Sequence, residues 1–287
     1  MTLFVTGSES FIGRELFACC KAAGIDAVGI DSVSPDGAHS TKADIRDPAV
    51  ADLIPEGAIV VHLAAISRDP DCRADPRGAF DVNVSGTLNV AAAAEKRKAK
   101  QMIFASSEWV YGEVRNDEVQ REDDAIDVTG IRSEYALTKI VGEQCLKLTC
   151  KLPAVTVLRF GIVYGPRPGN WSAAEALFHA VREKDVVSVG SLATGRRFVH
   201  VEDIAAGILK STGRTSFEIF NLSGNAIVTL REIVQQSAAL LGRRPTVEEK
   251  NPQAVSVRNP DNMKARQMLG WEPRLGLREG LATLMPH

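Results

Sequence analysis

Histidines at metal-ligand spacing, paired cysteines and a long apolar run are all missing from this sequence. The five histidines are scattered along the chain, so no structural metal is expected. The five cysteines (Cys19, Cys20, Cys72, Cys145, Cys150) include no CxxC pair and are odd in number. That pattern fits buried thiols in a reducing cytoplasm and excludes a disulfide framework. The longest apolar stretch, Ala58 to Ile66, is interrupted by His62 and is far too short to span a bilayer. Met1 to Gly7 lacks a basic start followed by a long apolar core, so no signal peptide is expected and the cytoplasm is the expected location. A formal charge of −2 leaves no basic stripe for nucleic acid, and no charge run marks a tail. Internal repeats and low-complexity tracts are also missing. What remains is 287 residues, 45% hydrophobic and 24% charged. Such a chain can bury one large domain, or one domain with a smaller companion.

Apolar periodicity supplies the elements. Leu3-Phe4-Val5, bounded by Thr6-Gly7, reads as a buried strand. From Phe11 to Ala23, Ile12, Leu16, Phe17, Cys20 and Ala23 recur at helical spacing, and Gly24 is a stop. Further strands are expected at Ala27–Ile30, Ile59–Leu63, Met102–Ala105 and Val155–Leu158, with helices around 77–97 and 133–150 between them. Continuous apolar strands alternating with amphipathic helices predict a parallel sheet covered on both faces. After Gly165-Pro166-Arg167-Pro168-Gly169 the pattern loosens. A helix around 172–184 is followed by Val186–Val189, a strand at Phe198–Val201, a helix from Asp203 to Lys210 and a further sheet strand at Phe217–Leu222. The expected organisation is an α/β dinucleotide-binding domain over 1–163, its sheet completed by 197–224. Residues 164–196 and 225–287 would form a small substrate-binding lobe.

Three features carry chemistry. Thr6-Gly7-Ser8-Glu9-Ser10-Phe11-Ile12-Gly13 joins the first strand to the first helix, where helix N-terminal amides can hold a pyrophosphate. Gly7 permits the tight turn and Gly13 the close packing of helix on strand. The middle glycine of G-x-x-G-x-x-G is Ser10, whose side chain narrows the approach while its hydroxyl can donate. Alone, so imperfect a fingerprint also describes a plain strand-turn-helix corner. Asp31 ends the second strand, where a carboxylate can accept both ribose hydroxyls and repel a 2′-phosphate, favouring NAD over NADP. Asp44 could serve the adenine side. Tyr135-Ala136-Leu137-Thr138-Lys139 sets a phenol and an ammonium one helical turn apart on one face, so the tyrosine can act as acid or base nearer neutral pH. Ser106 and Ser107 follow an apolar strand, at the sheet edge where ligands bind. Each of these is ordinary by itself. Their order along one chain is not.

Additional motifs agree with that order. His62-Leu63-Ala64-Ala65, Asn83-Val84-Ser85-Gly86-Thr87 and Ser106-Ser107-Glu108-Trp109-Val110-Tyr111-Gly112 come first. Leu158-Arg159, Val163-Tyr164-Gly165-Pro166-Arg167, Arg196-Arg197-Phe198-Val199-His200-Val201-Glu202-Asp203 and Leu269-Gly270-Trp271-Glu272-Pro273 follow. From end to end the chain resembles the nucleotide-sugar epimerase/dehydratase branch of the extended short-chain dehydrogenase/reductase family. The resemblance implies a Rossmann-type doubly wound parallel sheet and NAD as cofactor. It implies cofactor contacts from Gly7, Ser10, Phe11, Ile12, Gly13, Asp31, Asp44, Ile45, Leu63, Ala64, Ala65, Asn83, Tyr135 and Lys139. Ser107 matches the catalytic hydroxyl, Tyr135 the proton-transfer residue, and Lys139 the lysine that lowers the tyrosine pKa. Substrate would meet Ser107 and Glu108, with Arg196 and Arg258 gripping its diphosphate.

Departures from the family pattern narrow the chemistry. Dehydratases follow their Ser/Thr with Asp-Glu, whereas Glu108-Trp109 follow Ser107 here, and Trp109 cannot abstract a proton. Ile162 replaces an Asn that helps hold substrate phosphate in many members, and the segment from Gly165 to Arg196 is short. The expected activity is NAD-dependent epimerisation of a nucleotide-linked sugar through a transient ketose, with Tyr135 as acid/base. A net dehydrogenase or reductase of a sugar, sugar acid or similar hydroxy compound is the alternative, and a non-catalytic NAD-binding regulatory protein the remote one. Family habit further implies a homodimer paired through helices near 84–97 and 133–150.

Overall fold

The computed structural model describes residues 1–33, 39–113, 118–169 and 172–285. It contains a seven-stranded sheet, six of whose strands are β1 (Thr2–Thr6), β2 (Asp26–Asp31), β3 (Ser40–Lys42), β4 (Ile59–His62), β5 (Gln101–Ser107) and β6 (Val155–Phe160). The seventh is Phe217–Leu222, and the order is Phe217–Leu222, β6, β5, β4, β1, β2, β3. The pairings of β2 with β3, β1 with β2, β1 with β4 and β4 with β5 are parallel. The chain moves outward from β1 to β3 and then crosses back to β4. It therefore changes direction beside β1, the kind of switch point at which open parallel sheets bind ligands.

Leu3, Phe4, Val5, Val60, Val61, Met102, Ile103 and Phe104 are all exposed by 1% or less. Burial on both faces of the sheet explains why these strands read as unbroken apolar runs. Each such side chain contributes roughly 1.5–3 kcal/mol relative to exposure. Helix α1 (Phe11–Ala22) buries Leu16 and Cys20, and its N-cap is Ser10, whose side chain accepts from Gly13 N. The continuous helix expected around 77–97 is instead three pieces: Pro76–Phe80, a π turn at Asp81–Ser85, and Gly86–Lys96. The edge strand Ser40–Lys42 has only three polar residues, too few to show a period.

Two compact units divide the chain. The first comprises Met1–Gly112, Ala125–Arg159 and Ala205–Phe220, and its core gathers Phe4, Ile30, Val60, Val90, Met102, Phe104 and Val157. The second comprises Glu113–Asp124, Phe160–Ile204 and Asn221–His287, with Tyr164, Phe178, Val187, Phe198 and Ile233 in its core. Its helices Ala173–Glu183 and Leu230–Leu241 both begin with capping boxes, Ser172 with Glu175 and Thr229 with Glu232. Of the 197–224 stretch, Phe217–Leu222 joins the seven-stranded sheet, while Phe198–His200 pairs in parallel with Ile162–Tyr164. Among the described residues no helix is long and apolar enough to cross a membrane. No group of three or more His, Cys, Asp or Glu among them could hold a metal ion.

Candidate active site

The turn from β1 to α1 is built by close approach. Gly7 has φ +74°, and a Cβ there would lie 2.8 Å from Ala64 N. At Gly13 a Cβ would stand 2.3 Å from Gly7 O, so the helix can approach the strand only with glycine. Ser10 Oγ accepts from Gly13 N at 3.1 Å, which caps α1 and leaves the hydroxyl proton for an outside acceptor. Ser10, Phe11, Ile12 and Gly13 thus form the N-terminus of α1, where amides and the helix dipole favour an anion.

Asp31 closes this turn from β2. Glu9 N donates to its Oδ2 at 2.9 Å and Val33 N to its Oδ1 at 3.2 Å. A carboxylate has about four lone-pair sites, so two remain for a pair of vicinal hydroxyls. Asp44 is held by Arg46, whose fork bonds keep the carboxyl below its usual range. The same Arg46 reaches Asp81 at 2.8 Å. Ile45 turns its side chain into the core and its carbonyl accepts from Asn89 at 2.7 Å.

A directed hydrogen-bond chain runs below the β4 end. Ala64 N donates to Thr6 Oγ1, and the Thr6 hydroxyl meets His62 Nδ1 at 2.6 Å. His62 Nε2 meets Thr87 Oγ1 at 2.9 Å, and that hydroxyl donates to Asn83 O at 2.7 Å. Thr87 therefore accepts from the ring, which assigns the ring proton to Nε2 and makes Nδ1 the acceptor of the Thr6 hydroxyl. Burial, helped by the Lys139 ammonium, pushes the imidazole down to about 3. Asn83, in the π turn, accepts from Ile66 N at 2.8 Å and donates to Ile66 O and Thr138 Oγ1 at 2.9 and 3.0 Å. Thr138 then donates to Tyr135 O at 2.7 Å. Asn83 braces the loop holding Leu63, Ala64 and Ala65 against the helix carrying Tyr135.

That helix, Glu134–Thr149, is capped by Ser133, whose Oγ accepts from Ala136 N. Tyr135 and Lys139 leave it from the same face, with Lys139 Nζ 5.8 Å from the Tyr135 ring centroid and 4.9 Å from that of Phe104. Ser107, at the end of β5, hydrogen-bonds the Tyr135 phenol. Burial pushes the phenol well above its ordinary range, and the Ser107 bond pulls it back. Burial also pushes Lys139 down to about 8, opposed by Cys72 and Glu143. The Trp109 ring stands edge-on to Tyr135 at 6.5 Å, and Glu108 beside it is fully buried. A hydroxyl, a phenol and an ammonium in contact order can hold an alcohol oxygen and move its proton.

Arg196 and Arg258 converge in the second unit. Arg196 donates to Ser256 O and Oγ, both at 2.6 Å, and the Ser256 hydroxyl donates to Glu113 Oε1 at 2.5 Å. The same Glu113 oxygen is 3.9 Å from Arg258 Nη2. Arg258 is 7% exposed, Glu113 far more so. Sequence reasoning named both arginines but not Glu113 or Ser256, nor Glu143, Thr6 and Thr87 in the first unit. No local motif marks them. Ile162 sits in the strand pairing with Phe198 and brings no polar group to it.

Comparison with known proteins agrees with this geometry. The family model described as NAD dependent epimerase/dehydratase family matches residues 3–223. A UDP-glucose 4-epimerase of Mycolicibacterium smegmatis is 30% identical over 311 residues, covering 98% of this chain and 96% of the relative. UDP-glucuronic acid decarboxylase 4 of Arabidopsis thaliana is 26% identical, covering 99% of this chain and 68% of the relative. Among solved structures, MoeE5 in complex with UDP-glucose and NAD is similar, with a TM-score of 0.86 at 28% identity over 99% of this chain and 97% of that one.

Proposed function

The chain belongs to the NAD-dependent epimerase/dehydratase family, and from that premise we propose that it epimerises one carbon of a UDP-linked sugar. NAD fits the first unit: glycine-lined helix N-terminus for the pyrophosphate, and Asp31 with two free acceptor sites for the ribose hydroxyls. The chemistry NAD supplies when bound is a reversible hydride sink, through which a sugar carbon becomes a carbonyl and is then reduced from its other face.

Residues of this chain handle the proton. Ser107 holds the reacting sugar oxygen, and Tyr135 as phenolate removes its hydrogen and later returns it. Lys139 stabilises that phenolate by its charge. With a pKa of about 8 it carries the charge in most molecules at neutral pH. Arg196 and Arg258 are assigned the substrate diphosphate. The observation that carries the reading is the Ser107–Tyr135 hydrogen bond with Lys139 buried one turn away. Glu108-Trp109 in place of an acid-base pair argues against elimination of water, and the relatives' UDP-sugars supply the substrate class.

The test is to incubate the protein with NAD and UDP-glucose, UDP-galactose, UDP-glucuronate or UDP-galacturonate, and follow the sugar by proton NMR. An epimer of unchanged mass is expected, with no net NADH. Tyr135→Phe keeps the ring but deletes the transferable proton, and kcat should fall by about 10²–10⁴. Wild-type turnover in that variant sinks the proton assignment. Ile162, apolar where many members have an amide, favours net oxidation of a smaller hydroxy compound as a second reading, and accumulating NADH would select it.

A further inference from the structure

The carboxylate of Glu143 lies one helical turn beyond Lys139, and its side chain is 1% exposed. Its Oε1 accepts the Ser106 hydroxyl at 2.5 Å and Arg159 Nε at 3.0 Å, while Oε2 accepts Arg159 Nη2 at 2.7 Å. The Arg159 guanidinium, itself 2% exposed, lies 4.8 Å from the Tyr111 ring centroid. Such a pair is a poor device for stability, because desolvating both ions offsets most of their attraction. An apolar pair of equal volume would serve the core as well. Position gives this pair another use. Ser106 precedes the hydroxyl of Ser107, and Lys139 shares the helix face of Glu143.

We propose that Glu143, anchored by Arg159, is a positioning residue that fixes the Ser106–Ser107 strand end against the Tyr135 helix and keeps the Lys139 ammonium charged. The proposal rests on Tyr135 and Lys139 being the proton-transfer pair.

The groups facing Lys139 single out Glu143 as its counter-charge. From β4 comes His62, held neutral by burial. The helix Asp69–Ala74 brings Cys72, whose thiol burial pushes above its ordinary range. β5 presents the uncharged Phe104 ring. Lys139's own helix supplies the Tyr135 phenol and Glu143. With the thiol and phenol protonated at neutral pH, Glu143 is the negative charge of this set. Arg159 grips both carboxylate oxygens, so the carboxylate cannot swing onto Lys139 and displace it.

Glu143→Gln retains shape and deletes the charge. The alkaline limb of kcat, which follows loss of the Lys139 proton, should move down by about one pH unit. At pH 9 that amounts to a roughly tenfold fall in kcat against wild type, with KM nearly unchanged. Glu143→Asp, which keeps the charge, should retain the wild-type limb. Should the Gln variant not fold because Arg159 is left unpaired, Glu143→Gln with Arg159→Met is measured instead, with the same shift expected. An unmoved alkaline limb in whichever of the two folds overturns the proposal, as does a limb that moves equally in the Asp variant. Tyr135→Phe is assayed alongside. Retained turnover there means that the proton-transfer reading has failed, whereas a dead Tyr135→Phe with an unmoved Gln limb means that the positioning role alone has failed.

Discussion

Lowering the pH from 8 to 5 is expected to weaken the fold through His62. The ring is 1% exposed, and both nitrogens are committed, Nδ1 as acceptor and Nε2 as donor. Adding a proton to Nδ1 would turn it against the Thr6 hydroxyl and place a cation beside Lys139. Burial first, and Lys139 second, therefore hold the folded imidazole at about 3, against 6.5 for the free residue. The unfolded chain takes up this proton near pH 6.5 and the folded one only near 3. The stability due to neutral His62 is thus complete above pH 6.5 and is lost as pH falls from 6.5 to 3. At about 1.4 kcal/mol per unit, the loss is about 2 kcal/mol at pH 5 and about 5 kcal/mol below pH 3. Urea denaturation at pH 8 and pH 5 measures it, with His62→Gln beside the wild type. Carboxylate contributions are common to both proteins and cancel in the comparison. The wild type should lose about 2 kcal/mol more than the Gln variant over this interval. Equal losses would refute the reasoning.

Asp31→Ala removes the acceptor for the ribose hydroxyls together with the charge that repels a 2′-phosphate. Calorimetry should show NAD(H) binding more tightly than NADP(H) in the wild type and the gap narrowing in the variant. Tighter NADP(H) binding by the wild type would contradict the role given to Asp31. Arg258→Ala takes one charged donor from the proposed diphosphate site, a change that typically costs about 2–5 kcal/mol. KM for a UDP-sugar should then rise by roughly 30-fold or more, while KM for a free sugar barely changes. An unchanged KM for the UDP-sugar, with the melting temperature preserved, would assign Arg258 to its contact with Glu113 alone.

The parts legible in the sequence share one property, in that their cause is local. Leu3-Phe4-Val5 and Met102–Ala105 announce themselves because both sheet faces are covered, and Tyr135 and Lys139 because four residues make a helical turn. The parts that were not legible have causes far away along the chain. Glu143 and Arg159 meet across two elements, and His62 takes its partners Thr6 and Thr87 from a neighbouring strand and a helix. Ile45 and Asn83 sit in motifs that imply a cofactor contact. The structure directs the Ile45 side chain into the core and engages the Asn83 amide with Ile66 and Thr138. Only packing decides between a ligand contact and a brace. The break at Asp81–Ser85 escaped the periodic reading for a related reason: the residues on either side are all acceptable helix formers.

That break has a consequence for how the chain tolerates changes of length. An extra residue wound into one turn lets the segment before it and the segment after it keep different rotational phases. Deleting a single residue there, Val84 for instance, would restore an unbroken α-helix and rotate the downstream part by about 100°. Thr87 would swing away from His62, and Val90, Ala91 and Ala94 would leave the positions in which they are now buried. The turn behaves like a vernier, setting the angle of one half of a rod against the other. Surface loops of a protein absorb gained or lost residues by changing their path. In residues 76–96 the count itself is the information, and a one-residue indel there would do more damage than most substitutions.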